Sequence, residues 1–299
     1  MRRLTALFVV LLCASIFAQP PAPIILRAAR WLDVGAGQVR TPAVVVIQDG
    51  RITGVGADMP AGARTIDLGD VTLLPGLIDA HTHLTSDIEG DWVTRGVREL
   101  PADAALRGAR NAKRTLEAGF TTVRDVGAGG FADIALMKAI DAGMVPGPRM
   151  IASANALGIT GGHCDATGWA PGILEGGPEE GIVDGVDAAV RGVRYQIKHG
   201  ARVIKICATA GVLSFDATVG AQQLSDEEMR AIVEETGRHG LKVAAHAHGT
   251  QGILAAVKAG VASIEHGSML NDEIIALMKK RGTYLVPTDR KSTRLNSSH

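Results

Sequence analysis

The sequence predicts an α/β protein: a (β/α)8 TIM-type barrel, truncated after the seventh strand, behind a small N-terminal β-module. Three observations carry that prediction. Seven short apolar runs between Leu73 and Val286 alternate strictly with helical patterns, as in a parallel sheet with right-handed crossovers. The pattern stops after the seventh run, one βα unit short of eight. The first run ends in DAHTH, Asp79 to His83, where the alternative architecture, a doubly wound open sheet, carries a glycine-rich phosphate loop.

The bulk numbers fit. A chain of 299 residues, 46% hydrophobic and 21% charged, can bury one large α/β domain, or one domain and a smaller one. Lys and Arg (31) balance Asp and Glu (31), so there is no electrostatic footprint for nucleic acid or an anionic membrane surface.

Residues 1–18 read as a secretory signal peptide. Arg2 and Arg3 precede an apolar run from Leu4 to Phe17, and Ala18 offers the cleavage site. The run is short for a membrane span, although a retained anchor is the competing reading. The expected location is therefore exported, periplasmic or secreted, with no membrane contact after cleavage. Residues 19–72 read as a small β-sandwich-type module, of which this is the N-terminal part. There, TPAVVVIQDGRITGVGA places two β-branched runs around Asp49-Gly50, a two-residue hairpin signal.

Residues 73–288 carry the barrel. The strands are expected at Leu73–His81, Thr121–Asp125, Arg149–Ala154, Val203–Cys207, Leu241–Ala245, Ala262–Glu265 and Thr283–Val286. Between them lie helical patterns at 102–117 and 131–141, closed by Gly119 and Gly143, then at 184–199, 225–237, 251–258 and 271–280. Ser225 and Glu228 form a capping box. Gly158 to Gly181 is a long glycine-rich stretch with little regular pattern; it reads either as part of a substrate lid or as a flexible insertion. Residues 289–299, DRKSTRLNSSH, match the conceptual translation of a widely used sequencing adapter and are expected to be an artefact. Without both ends, 26 basic and 30 acidic residues remain, a mildly acidic balance. Cys164 and Cys207 also remain. Export permits a disulfide, but spacing alone cannot bring the two together, and two free thiols are expected.

The chemistry-bearing residues gather at strand ends. His81 and His83 stand two apart, so period two puts both imidazoles on one face. His246 and His248 repeat the pattern, and His266 ends the next strand. Such histidines at the C-terminal ends of barrel strands form a plausible metal site. Lys205 sits inside the apolar run of RVIKICATAG, sharing a face with Val203 and Cys207. A buried ammonium needs a partner. Either a carboxylate such as Asp79 or Asp125 supplies one, or the neutral amine takes up carbon dioxide and the resulting carbamate bridges two divalent ions.

The pieces LLPGLIDAHTHL, GFTTVRDVG, PGPRM, ITGGHCD, VIKICATAGV, VAAHAHG, SIEHG and YLVPT cover nearly all of the chain between its two set-aside ends. In this order they resemble the amidohydrolase superfamily, most closely its imidazolonepropionase-like and prolidase-like (Xaa-Pro dipeptidase-like) branch. The resemblance implies a centre of two divalent metal ions, usually zinc. It places His81 and His83 on the more buried ion, a carboxylated Lys205 between both, and His246 and His266 on the second. It makes His163 and His248 substrate-binding candidates. Asp79 and Asp125 are expected to fix histidine tautomers, and Arg124 and Trp169 are further pocket candidates. The family's catalytic aspartate, at the end of the eighth strand, has no counterpart in this chain; Asp289 belongs to the suspected adapter tail and is not given that role. The chain as given is therefore expected to be inactive.

For the full-length parent the resemblance implies hydrolysis of a C–N amide bond by metal-activated water. The substrate would be a dipeptide or N-acyl amino acid, with a homo-oligomer left open. The alternatives are a lactonase, phosphotriesterase or cyclic-amide hydrolase on the same centre, or a non-catalytic metal-binding barrel.

Overall fold

The computed structural model describes residues 22–288, apart from 57, 88–90 and 213–217. The signal-peptide and adapter-tail readings, and Asp289, lie outside the described residues. The chain divides into two compact units, Met1–Pro75 and Gly76–His299.

Among its described residues the first unit is all β. Its strands are β1 (Ile24–Ala28), β2 (Arg30–Asp33), β3 (Gln38–Arg40), β4 (Ala43–Gln48), β5 (Arg51–Val55), β6 (Arg64–Asp67) and β7 (Thr72–Leu73). They form a sheet of order β5-β4-β1-β6 and a smaller one of order β3-β2-β7. The predicted hairpin joins β4 to β5. Asp49 and Gly50 both have positive φ, at 51° and 72°, as a tight primed turn requires. Ile25, Ala28, Ala43, Val45 and Val46 are buried in this unit.

The second unit alternates strand and helix. Its strands are β8 (Leu77–Thr82), β9 (Phe120–Asp125), β10 (Arg149–Ala152), β11 (Ile204–Cys207), β12 (Val243–Ala247), β13 (Ser263–His266) and β14 (Tyr284–Val286). Its helices are α1 (Trp92–Arg98), α2 (Pro101–Glu117), α3 (Ala132–Asp141), α4 (Val186–His199), α5 (Asp226–Arg238), α6 (Thr250–Ala259) and α7 (Asp272–Arg281).

All neighbouring barrel strands pair in parallel, in chain order. Between β10 and β11 the ladder is carried by Leu157, whose N–H donates to Lys205 O at 2.8 Å while its carbonyl accepts from Cys207 N at 2.8 Å. The sheet curls on itself, because side chains from β8 and β9 reach β13, which is no sheet neighbour of either. This is the (β/α)8-type barrel the sequence predicts, with seven strands among the described residues.

The first barrel strand is shorter than expected. The run from Leu73 is interrupted by Pro75-Gly76, so Thr72–Leu73 pairs with β2 instead and β8 begins at Leu77. Gly76 is needed here, since a Cβ would come within 2.7 Å of Thr121 Cβ. Helix boundaries follow local signals. In α5 Ser225 Oγ accepts from Glu228 N at 3.2 Å, and Glu228 Oε2 accepts from Ser225 N at 2.7 Å. Gly200, Gly260 and Gly282 end α4, α6 and α7 in the left-handed conformation. Ile204 and Ile206 join Met150, Leu157, Val243, Ala245 and Ile264 in the core shared with the helices. Alternation therefore turns Lys205 and Cys207 to the opposite, inner face of β11.

Candidate metal centre

Seven sequence-predicted residues line one cavity of about 910 Å³: His81, His83, His163, Lys205, His246, His248 and His266. Strand register places them. Lys205 pairs with Ala244 across β11 and β12, and Cys207 with His246 one layer further along. His246 in turn pairs with Glu265 of β13. In parallel strands, paired residues face the same side, so Cys207, His246 and Glu265 all point inward. His266, paired with Ala247 at the end of β13, would alternate outward, but its φ of 71° lets its ring line the same cavity.

The imidazoles touch in sequence. Ring centres lie 5.4 Å apart for His81 and His83, and 4.9 Å for His81 and His266. His266 lies 4.7 Å from His246 and 4.8 Å from His248, and His246 lies 4.1 Å from His163. Ligand nitrogens of His246, His248 and His266 fall within 4.8 Å of one another.

Four rings are anchored through Nδ1. His81 Nδ1 lies 2.8 Å from Glu265 Oε2, and His83 Nδ1 lies 2.9 Å from Gly127 O. His248 Nδ1 is 2.8 Å from Ser268 Oγ, and His266 Nδ1 is 3.0 Å from Thr288 Oγ1. A carboxylate and a carbonyl accept, so His81 and His83 donate from Nδ1 and keep a lone pair on Nε2. His246 Nε2 and His248 Nε2 are buried without a hydrogen-bond partner among the described residues. Unpartnered imidazole nitrogens converging on a cavity fit a divalent ion that favours nitrogen ligands, and of these two rings His248 has its other nitrogen tied down.

The electrostatics keep these rings neutral. Burial pulls His246 well below the usual histidine range. Burial, helped by His81, His248 and Lys205, pulls His266 down to about 3. Burial pulls Lys205, which is 4% exposed, down to about 8. Lys205 takes part in no ion pair among the described residues.

The residues expected to fix tautomers are elsewhere. Asp79 Oδ1 accepts the backbone N–H of His81 at 3.0 Å and no ring nitrogen. Asp125 faces away from the histidines, because period two puts it with Val123. Its Oδ2 accepts from Leu84 N at 2.7 Å and Thr82 Oγ1 at 3.2 Å. Glu265 takes the predicted role. It is fully buried and also accepts from Arg124 Nη2 and Ser263 Oγ, both at 2.6 Å. Burial pushes Glu265 up, but the His81 hydrogen bond and the Arg124 charge outweigh it and hold the carboxyl below its ordinary value. Arg124 is thus a strut between β8, β9 and β13, donating also to Ala80 O at 2.7 Å, and it does not line the cavity; nor does Trp169. The glycine-rich loop contributes His163, Cys164 and Leu174 to the cavity wall. Cys164 and Cys207 are joined in a disulfide, with Cα atoms 5.8 Å apart, which overturns the expectation of free thiols.

Residues 72–298 match the Amidohydrolase family. The chain belongs to the amidohydrolase family. This amidohydrolase chain is 37% identical over 287 residues to ochratoxinase from Aspergillus niger, an alignment covering 89% of the chain and 59% of that protein. It therefore spans about three fifths of the length of that relative. The crystal structure of a Xaa-Pro dipeptidase with methionine bound in its active site superposes with a TM-score of 0.81 at 35% identity, covering 89% of this chain and 67% of that one. A prolidase complexed with N-methylphosphonate-L-proline gives 0.78 at 33% identity, covering 89% and 66%.

Proposed function

We propose that the full-length protein is an exported, metal-dependent amidohydrolase that cleaves the C–N amide bond of a dipeptide or N-acyl amino acid. The single observation that carries this is the ring of histidines, four of them (His81, His83, His248 and His266) tied at Nδ1, around a buried lysine without an ion pair among the described residues. His81 and His83 would hold one divalent ion and His246 and His266 a second, zinc being the metal such imidazole sites favour. Lys205 would bridge them as a carbamate, formed when its neutral amine attacks carbon dioxide and releases a proton. When bound, the ions supply an activated water and an electrophile for the scissile carbonyl.

The chain's own residues do the rest. Glu265 and Gly127 O fix the His81 and His83 tautomers, so both rings present a lone pair without rearrangement. In the tautomer whose Nδ1 accepts from Ser268 Oγ, His248 would carry its proton on Nε2 and offer it to a substrate carbonyl or carboxylate, leaving the ions to the other histidines. His163, from the loop, would bind the other end. The cavity is of a size that holds a dipeptide or N-acyl amino acid. Similarity to a dipeptidase and to a prolidase seen with a proline phosphonate supports that substrate class. The leader pattern and the disulfide both suit an oxidising compartment.

Assaying the full-length protein, metal-free and zinc-loaded, on dipeptides, N-acyl amino acids, lactones and phosphotriesters tests this. Zinc-dependent release of the free amino acid is expected. Turnover confined to esters would contradict the amide reading, and bound zinc without any turnover would make the barrel a metal-binding protein.

A further inference from the structure

We propose that the Cys164–Cys207 disulfide is a positioning clasp that ties the glycine-rich loop to the lysine-bearing strand and seats His163 beside His246. Its functional consequence rests on the hydrolytic reading above; its structural consequence does not.

The covalent path is short. Lys205 and Cys207 share the inner face of β11, Cys207 is disulfide-bonded to Cys164, and Cys164 follows His163. The strand end of the clasp is rigid, because Cys207 is 2% exposed and held in register with His246. The loop end is not rigid by itself. Residues 158–181 contain eight glycines in 24 positions, and such a segment loses more backbone freedom on ordering than most. The loop is also held by polar contacts. His163 N donates to Gln223 Oε1 at 2.9 Å, and Thr160 Oγ1 donates to Asp184 Oδ2 at 2.6 Å.

The surroundings leave room for this placement. A Cβ on Gly158 would come within 2.7 Å of Cys164 Cβ, and a Cβ on Gly211 would overlap the His163 ring. Gly158 thus makes room for the clasp and Gly211 for the imidazole it carries. A disulfide that served only the overall fold would not need both of its ends in the wall of the histidine cavity, yet Cys164 and Cys207 both line it.

The test uses the zinc-loaded full-length protein with Cys164→Ser and Cys207→Ser combined. Serine is preferable to a reductant, because free thiols beside the histidines are themselves metal ligands. The first readout needs no substrate: hydrogen exchange of the peptide spanning 158–165 should speed up about tenfold in the serine pair, while β11 stays protected. The second is a double-mutant cycle with His163→Ala. The serine pair should lower kcat/KM about tenfold, mostly through KM, in the parent, and by less than about twofold once His163 is gone. Unchanged loop exchange, or the same loss of kcat/KM with and without His163, would overturn the clasp. If the parent turns over no substrate, the hydrolytic reading falls and exchange alone decides the clasp. If the serine pair does not fold, exchange on the metal-free native protein before and after phosphine reduction decides it, since no ion is then present for the thiols to bind.

Discussion

His81 and Glu265 stand 184 residues apart in the chain, yet His81 Nδ1 lies 2.8 Å from Glu265 Oε2. Glu265 has no exposed side-chain surface, and its other oxygen is shared by Arg124 and Ser263. This contact fixes which nitrogen of His81 faces the cavity. Replacing Glu265 with Gln keeps an acceptor but removes the charge that would make His81 a strong ligand in the proposed centre. Zinc affinity of the full-length protein, measured against a competing chelator, should fall about 10–100-fold. Unchanged affinity would show that the carboxylate serves only Arg124.

Gly211 gives a prediction of different character. Its missing side chain is the space the His163 ring occupies. Gly211→Ala should therefore mimic His163→Ala in kcat/KM while zinc content stays as in the parent. A variant with full activity would mean that His163 does not act in the position described.

Far from the site, Glu235 of α5 provides a pH test. Its carboxyl is held down to about 2, first by the hydrogen bond from Arg194 at 2.7 Å, then by the Arg194 charge and by Arg238 and His239. Its folded value lies below its ordinary 4.5, so the unfolded chain binds the proton more readily. The stabilisation is fully present above pH 4.5 and is lost as pH falls through about 2. Arg194 is 61% exposed, so the effect is small and salt-sensitive. The stability gap between parent and Glu235→Gln, from denaturation midpoints, should stay constant from pH 7 to 5 and narrow towards pH 3. A gap that does not vary with pH would contradict this.

The disulfide also predicts a stability loss. It closes a separation of 43 residues. Replacing both cysteines with serine should lower unfolding stability by about 2–4 kcal/mol, read from urea midpoints. A loss well under 1 kcal/mol would mean that the reduced chain already holds the loop in place.

Much of this architecture is legible in the sequence because period-two strands and helix caps are local. The seven strands, the Asp49-Gly50 turn and the Ser225–Glu228 box all follow from neighbours in the chain. What escapes is non-local or breaks the period. The α1 helix is short and carries Gly96 in its interior, so its pattern is weak. The disulfide depends on a loop returning to a strand, which spacing cannot show. Glu265 escapes because alternation turns it away from its neighbour His266, and the positive φ that brings both inward has no local mark. Asp125 is a different error, since strict alternation after Arg124 already points it away from the cavity.

Lys205 and the surrounding histidines are proposed to hold two divalent ions. Metal analysis of the full-length protein beside its Lys205→Met variant tests it most directly. About two zinc ions per chain are expected in the parent, and no more than about one in the variant, which should also lose turnover unless a short carboxylate is added. A variant that keeps both ions and its activity would contradict it.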